Sequence, residues 1–189
     1  MKNYCIFVFV LTGFSITSAC GQSHLKGQRF FDVQAGVADG PWAKHNDIGW
    51  LGTFSTGRYN RQYNAWKVSV SYVQKTVRGE DSLSTGTVRQ FAVGWGYEFN
   101  LWRNAFRTRF VRGSVQPLLL YETTPTRPAQ MMADSLCSTM PTTSRWLLGV
   151  DAGIDFELSP VVVSLRQRWQ PKSTLQPFHT LISVGWRWH

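Results

Sequence analysis

The feature that most constrains this chain is an alternation of apolar and polar residues with period two, repeated in eight separate runs. Successive side chains of a strand point to opposite sides, so this period marks strands whose two faces meet different surroundings. The run 30–37 puts Phe31, Val33, Ala35 and Val37 on one face, with Asp32, Gln34 and Gly36 on the other. The run 48–56 sets Ile48, Trp50 and Phe54 against Gly49, Thr53 and Ser55. In the third, Trp66, Val68, Val70 and Tyr72 oppose Lys67, Ser69 and Ser71. In the fourth, Phe91, Val93, Trp95, Tyr97 and Phe99 oppose Gln90, Ala92, Gly94, Gly96 and Glu98.

The fifth run, 111–122, is less regular: Val111, Val115, Leu119 and Tyr121 share a face with Gly113 and Pro117, opposite Arg112, Ser114, Gln116 and Glu122. Pro117 removes a ladder donor and predicts a bulge. The sixth is the clearest, with Trp146, Leu148, Val150, Ala152, Ile154, Phe156 and Leu158 against Gly149, Asp151, Gly153, Asp155 and Glu157. The seventh sets Val161, Val163, Leu165 and Trp169 against Ser164, Arg166 and Arg168, and the last sets Ile182, Val184, Trp186 and Trp188 against Ser183, Gly185 and Arg187.

Connections alternate as well. The segments 38–47, 76–87, 123–144 and 170–177 are long or rich in Pro and Gly, whereas 57–64, 100–106 and Ser159-Pro160 are tighter. Long outer loops alternating with short periplasmic turns are the habit of outer-membrane barrels. The reading is therefore all-β: an eight-stranded antiparallel up-and-down outer-membrane β-barrel, with its N-terminus in the periplasm and the long loops outside. A lipocalin-like barrel or β-sandwich also alternates. Two features argue for lipid. The polar face carries charges that a dry core could not accept unpaired. Tryptophans (Trp66, Trp146, Trp169, Trp186 and Trp188) mark strand ends, where an interfacial girdle belongs.

Composition is consistent with this. A length of 189 residues makes one domain. Beyond the first twenty residues, no stretch reaches the roughly 20 apolar residues of a membrane helix. Residues 1–21 read as a secretory signal, with Lys2, an apolar core and the small residues Ser18, Ala19, Cys20 and Gly21; residues 22–189 are then the barrel. Cys20 has a second reading as a lipidation site. After cleavage only Cys137 remains, which excludes an internal disulfide.

An eight-stranded barrel has a lumen filled by side chains. If Ser159-Pro160 closes a two-residue hairpin, Asp151 lies opposite Arg168, and Arg166 faces Gly153 between Asp151 and Asp155. Those four charged residues are the expected lumen network. On the other face, Phe156 meets Val163 and Ile154 meets Leu165. Arg58, Arg61, Arg103, Arg107 and Arg109, with Arg112 nearby, form a periplasmic basic rim within a chain of formal net charge +9. Their expected role is to meet the phosphates of outer-membrane lipids; the sharper alternative is docking of a periplasmic partner. No nucleic-acid motif accompanies the charge, so no direct nucleic-acid binding is expected. His24, His45, His179 and His189 are scattered without metal-ligand spacing, and His179 with Ser173 and Thr174 is too little for a catalytic dyad. No enzyme activity, cofactor, metal or small-molecule substrate is expected.

Several segments resemble one family. These are Gln28-Arg29, the stretch Gly36-Val37-Ala38-Asp39-Gly40, Trp66 with Ser71-Tyr72-Val73-Gln74-Lys75, Leu120-Tyr121-Glu122, and the run from Val161 to Trp169. In order along most of the mature chain they resemble the mature TraO proteins of Bacteroidetes conjugative transposons. The Pro-rich 123–144 loop, with Pro125, Pro128 and Pro141, and the single Cys137 depart from it. The resemblance implies an outer-membrane accessory of a conjugative mating apparatus, with other apparatus proteins as partners and no catalytic residues. The competing reading is an OmpX- or OmpW-like surface barrel with an adhesive or envelope-stabilising role; a lipid A-modifying enzyme is the third.

Overall fold

A computed structural model describes residues 25–39, 49–60, 63–78, 85–106, 108–125, 142–175 and 177–189. The eight alternating runs become eight strands: β1 (Arg29–Ala38), β2 (Gly49–Tyr59), β3 (Ala65–Arg78), β4 (Thr85–Arg103), β5 (Arg109–Pro125), β6 (Thr142–Leu158), β7 (Val161–Trp169) and β8 (Phe178–Trp188). Each pairs antiparallel with the next, and β8 returns to β1, so the sheet closes into a barrel. Closure pairs the strands on both sides over the height they share, while extended ends of the longer strands, such as residues 142–149 of β6, are paired on one side.

The alternation sorts side chains between wall and lumen in the sense opposite to that of a water-soluble protein. Phe31, Val33, Phe54, Trp66, Val68, Phe91, Val93, Trp95, Leu119, Phe156 and Leu165 are exposed on the outer wall. Asp32, Gln34, Lys67, Ser69, Glu98, Arg112, Asp155, Glu157, Arg166 and Arg187 are buried in the lumen. Every acidic side chain among the described residues is buried. The two ends of the barrel differ: one carries the short connections (the turn end) and the other the long ones (the loop end).

Two local features differ from the reading of the sequence. Pro117 makes no bulge, since the β4–β5 register is the same on either side of it, Gly94↔Leu118 and Tyr97↔Val115. Its missing N–H interrupts the ladder without adding a residue. The bulge lies instead between Asn100 and Trp102, and turns the consecutive Leu101 and Trp102 both outward. The strands are also longer than alternation marks them. β4 has 19 residues and β5 and β6 have 17 each, against the roughly 9–11 needed to cross a bilayer. Pairing continues past that length, so these hairpins extend beyond the loop end of the apolar wall.

The lumen is not uniformly polar. Ala38, Leu51, Val73 and Leu181 form one apolar cluster, and Ala92, Leu118, Leu120 and Leu147 a second. Phe30, Tyr59 and Ala65 form a third at the turn end. These residues occupy polar-face positions, so binary patterning alone does not mark them as interior.

Candidate functional site: a charge-filled lumen and a basic rim

The turn-end half of the lumen is organised around Arg187 on β8. Its guanidinium donates to Asp32 at 2.9 Å, to the two Glu98 oxygens at 3.1 and 3.2 Å, and to Glu157 at 3.1 Å. Barrel closure makes the first pair, because Asp32 and Arg187 are direct partners across the β1–β8 seam. The face of Phe30 lies 4.4 Å from the same guanidinium, near enough for a cation–π contact. Lys67 sits 2.7 Å from Glu98, 3.8 Å from Asp32 and 3.7 Å from Asp155. Arg112 donates to Glu157 at 3.0 Å and to the Tyr63 carbonyl at 2.8 Å, with its guanidinium over the Tyr59 and Phe110 rings. Cations and carboxylates therefore interleave across six strands, so no buried charge faces only its own sign.

Arg112 thus belongs to the lumen rather than to the rim with which its neighbours in sequence associate it. Parity decides this: Arg112 lies on the inward face of β5 and Arg109 on the outward face.

Farther toward the loop end, the β6–β7 register places Asp151 opposite Arg168 and Gly153 opposite Arg166. Arg168 holds Asp151 through two bonds of 2.8 and 3.0 Å and crosses the lumen to Ser71 at 2.9 Å. The Arg166 guanidinium approaches Asp155 at 3.4 and 3.5 Å, a looser contact. Gly153 is required beneath it, because a β-carbon there would lie 2.6 Å from the Arg166 side chain and from the Leu165 carbonyl. Cross-strand ion pairs of this kind fix register and fill the lumen with side chains.

At the loop end, Asp39 accepts from Lys75 at 2.7 Å and lies 2.6 Å from His179 Nδ1. Burial pushes the Asp39 carboxyl up, but the hydrogen bonds from His179 and Lys75 outweigh it and hold the group below the ordinary carboxylate value. Ser173 donates to Glu122 at 2.5 Å, and Glu122 also receives Arg145, Gln90 and Thr174. Ser173 and His179 therefore belong to two different clusters and make no dyad. Among the described residues, no group of His, Cys, Asp and Glu is placed to hold a metal.

The rim at the turn end is basic. Arg58, Arg103 and Arg109 are exposed there, together with Lys26 and Arg29, which the pattern of the sequence did not single out. Arg103 stacks over Tyr63 at 4.4 Å. Arg61, Arg107, Cys20, Cys137, His24 and His45 lie outside the described residues. The largest cluster missed by sequence reasoning is the one around Arg187. Its signal was present, since all of its members have polar-face parity, but it appears only once β1 and β8 are paired.

Comparisons with known proteins agree with this architecture. The sequence profile of the family described as conjugative transposon protein TraO matches residues 25–189. No curated protein matches the chain in sequence. Among solved structures, the chain is similar to Ail, the attachment invasion locus protein of Yersinia pestis, in complex with the heparin analogue sucrose octasulfate. The identity is 12%, the TM-score 0.53, and the match covers 87% of this chain and 100% of that one. It is similar to the N-terminal β-barrel domain of Pseudomonas aeruginosa OprF, at 10% identity and a TM-score of 0.53 over 86% and 100% of the two chains. Neisserial surface protein A is similar at 12% identity and a TM-score of 0.51, over 84% and 95%. At these identities the likeness concerns the fold alone.

Proposed function

The chain belongs to the TraO family of conjugative transposon proteins, and from that premise we propose that it is an outer-membrane accessory component of a conjugative transfer apparatus. The observation that carries the reading is a family match over nearly the whole described chain, joined to a barrel whose wall is apolar and whose lumen is charged. An exposed apolar surface this continuous is unfavourable in water and matches hydrocarbon. In this reading residues 1–21 direct export, residues 22–189 form the membrane barrel, and the turn end faces the periplasm.

The role is structural rather than catalytic. The lumen is occupied by ion pairs, which supports anchoring or contact functions over solute passage. The working surfaces are the loop end, toward the recipient cell, and the turn end, toward other apparatus proteins. Deletion of the gene from donor cells tests this. Transfer frequency should fall sharply and return on complementation, with growth unchanged; an unaltered frequency overturns the reading.

A further inference from the structure

The turn end of the β1–β2 hairpin carries a like-charge arrangement that the barrel itself does not neutralise. Arg29 and Arg58 are direct cross-strand partners, and both are exposed. Like charges in that position repel. Lys26 adds a third cation on the adjoining turn, which the Gln28 N–H closes on the Leu25 carbonyl at 3.0 Å. Gly27 has φ 83°, a conformation that favours glycine. Its carbonyl accepts from Arg58 Nε at 3.0 Å, which fixes the guanidinium beside the turn. With every acidic side chain among the described residues buried, none is on hand to balance these three charges.

The outward row beside the cluster is aromatic. Arg58 is the cross-strand partner of Trp66, and Trp66 of Tyr97. Phe31 follows Arg29 on the same face and is exposed. Guanidinium groups next to tryptophan, at the edge of an apolar wall, sit at the depth of lipid phosphates. Paired arginines also suit the oxygens of a phosphate. We propose that Lys26, Arg29 and Arg58 form a binding site for the phosphate of an anionic phospholipid in the leaflet at the turn end. The site rests on the membrane reading above. Its outward aim, along the wall instead of down the barrel axis, favours a lipid over a nucleic acid approaching from the periplasm.

Native mass spectrometry of the folded, delipidated mature barrel tests this, with phosphatidylglycerol, phosphatidylcholine, inorganic phosphate and a short DNA duplex as separate probes. The wild type should retain phosphatidylglycerol in preference to the other three. R29Q/R58Q should retain it about thirtyfold more weakly, and R58Q alone about fivefold more weakly. R89Q, an exposed arginine of β4 near the loop end, should match the wild type. A heat-dependent gel shift confirms that each variant is folded, and R58Q carries the test if the double variant is not. Equal retention by folded R58Q, or binding of phosphate or DNA as strong as that of the lipid, overturns the site. That failure would leave membrane insertion intact, so it is distinguishable from failure of the membrane reading.

Discussion

The two halves of the lumen hold buried charge in different ways. Near the turn end, Arg187, Lys67 and Arg112 each meet an acid at 3.1 Å or less, and several meet more than one. Toward the loop end the ion pairs are separated by apolar clusters; buried polar atoms without a partner among the described residues occur in both halves, on Arg187 and Arg112 as well as on Arg168, His179 and Gln170. The first arrangement is a network in which each member depends on the others. The second is a set of separate local groups: Asp151 with Arg168, Asp39 with Lys75 and His179, and Glu122 with Arg145 and Ser173. A network concentrates the penalty of a lost member, because several counter-charges lose a shared partner together. Separate groups confine it.

The largest effect should therefore come from Arg187→Met, which removes the cation shared by Asp32, Glu98 and Glu157 and leaves only Lys67 and Arg112 to balance them. It should destabilise the barrel by about 5 kcal/mol, measured by urea unfolding in lipid vesicles. Arg168→Met strands Asp151 alone and should lose about 3 kcal/mol. Adding Asp151→Asn should restore at least about 1 kcal/mol of that. Equal losses at Arg187 and Arg168 would break the comparison. A smaller effect is expected from acid at Asp39, whose carboxyl is held below its ordinary value. A depressed folded-state pKa contributes stability above the carboxylate range that is lost as pH falls through it. Asp39→Asn should then be less stable than the wild type at pH about 7, and the gap should close below about pH 4. The smallest effect is at Gln170, buried with no partner for its amide. Gln170→Leu should stay within about 1 kcal/mol of the wild type, because no hydrogen bond among the described residues is lost.

The part of this architecture legible in the sequence is the part set by nearest neighbours. Alternation within 146–158 and 161–169, with a two-residue turn between them, is enough to place Asp151 opposite Arg168 and Ile154 opposite Leu165. Loop parity gave the up-and-down order. What was not legible depends on closure or on layers within the lumen. Asp32 and Arg187 are 155 residues apart, and only the β1–β8 seam brings them together. Leu118, Leu119 and Leu120 read as one apolar run, yet Leu118 and Leu120 point inward and Leu119 outward. Arg112 has polar-face parity already in the sequence, but its counter-charge Glu157, a diagonal neighbour on β6, appears only once the register is set. Lys26 lies on the turn before the first strand and Arg29 opens that strand, where no alternation precedes them to mark their face.

The central claim is that lipid solvates the outer wall of this barrel while charge fills its lumen. Quenching of tryptophan emission by brominated phospholipids tests it most directly, because Trp50, Trp66, Trp95, Trp102, Trp146, Trp169 and Trp188 are all exposed on the outer surface. The folded protein in brominated vesicles should lose most of its tryptophan emission, and aqueous acrylamide should quench little. Emission untouched by brominated lipid and readily quenched by acrylamide would contradict the account.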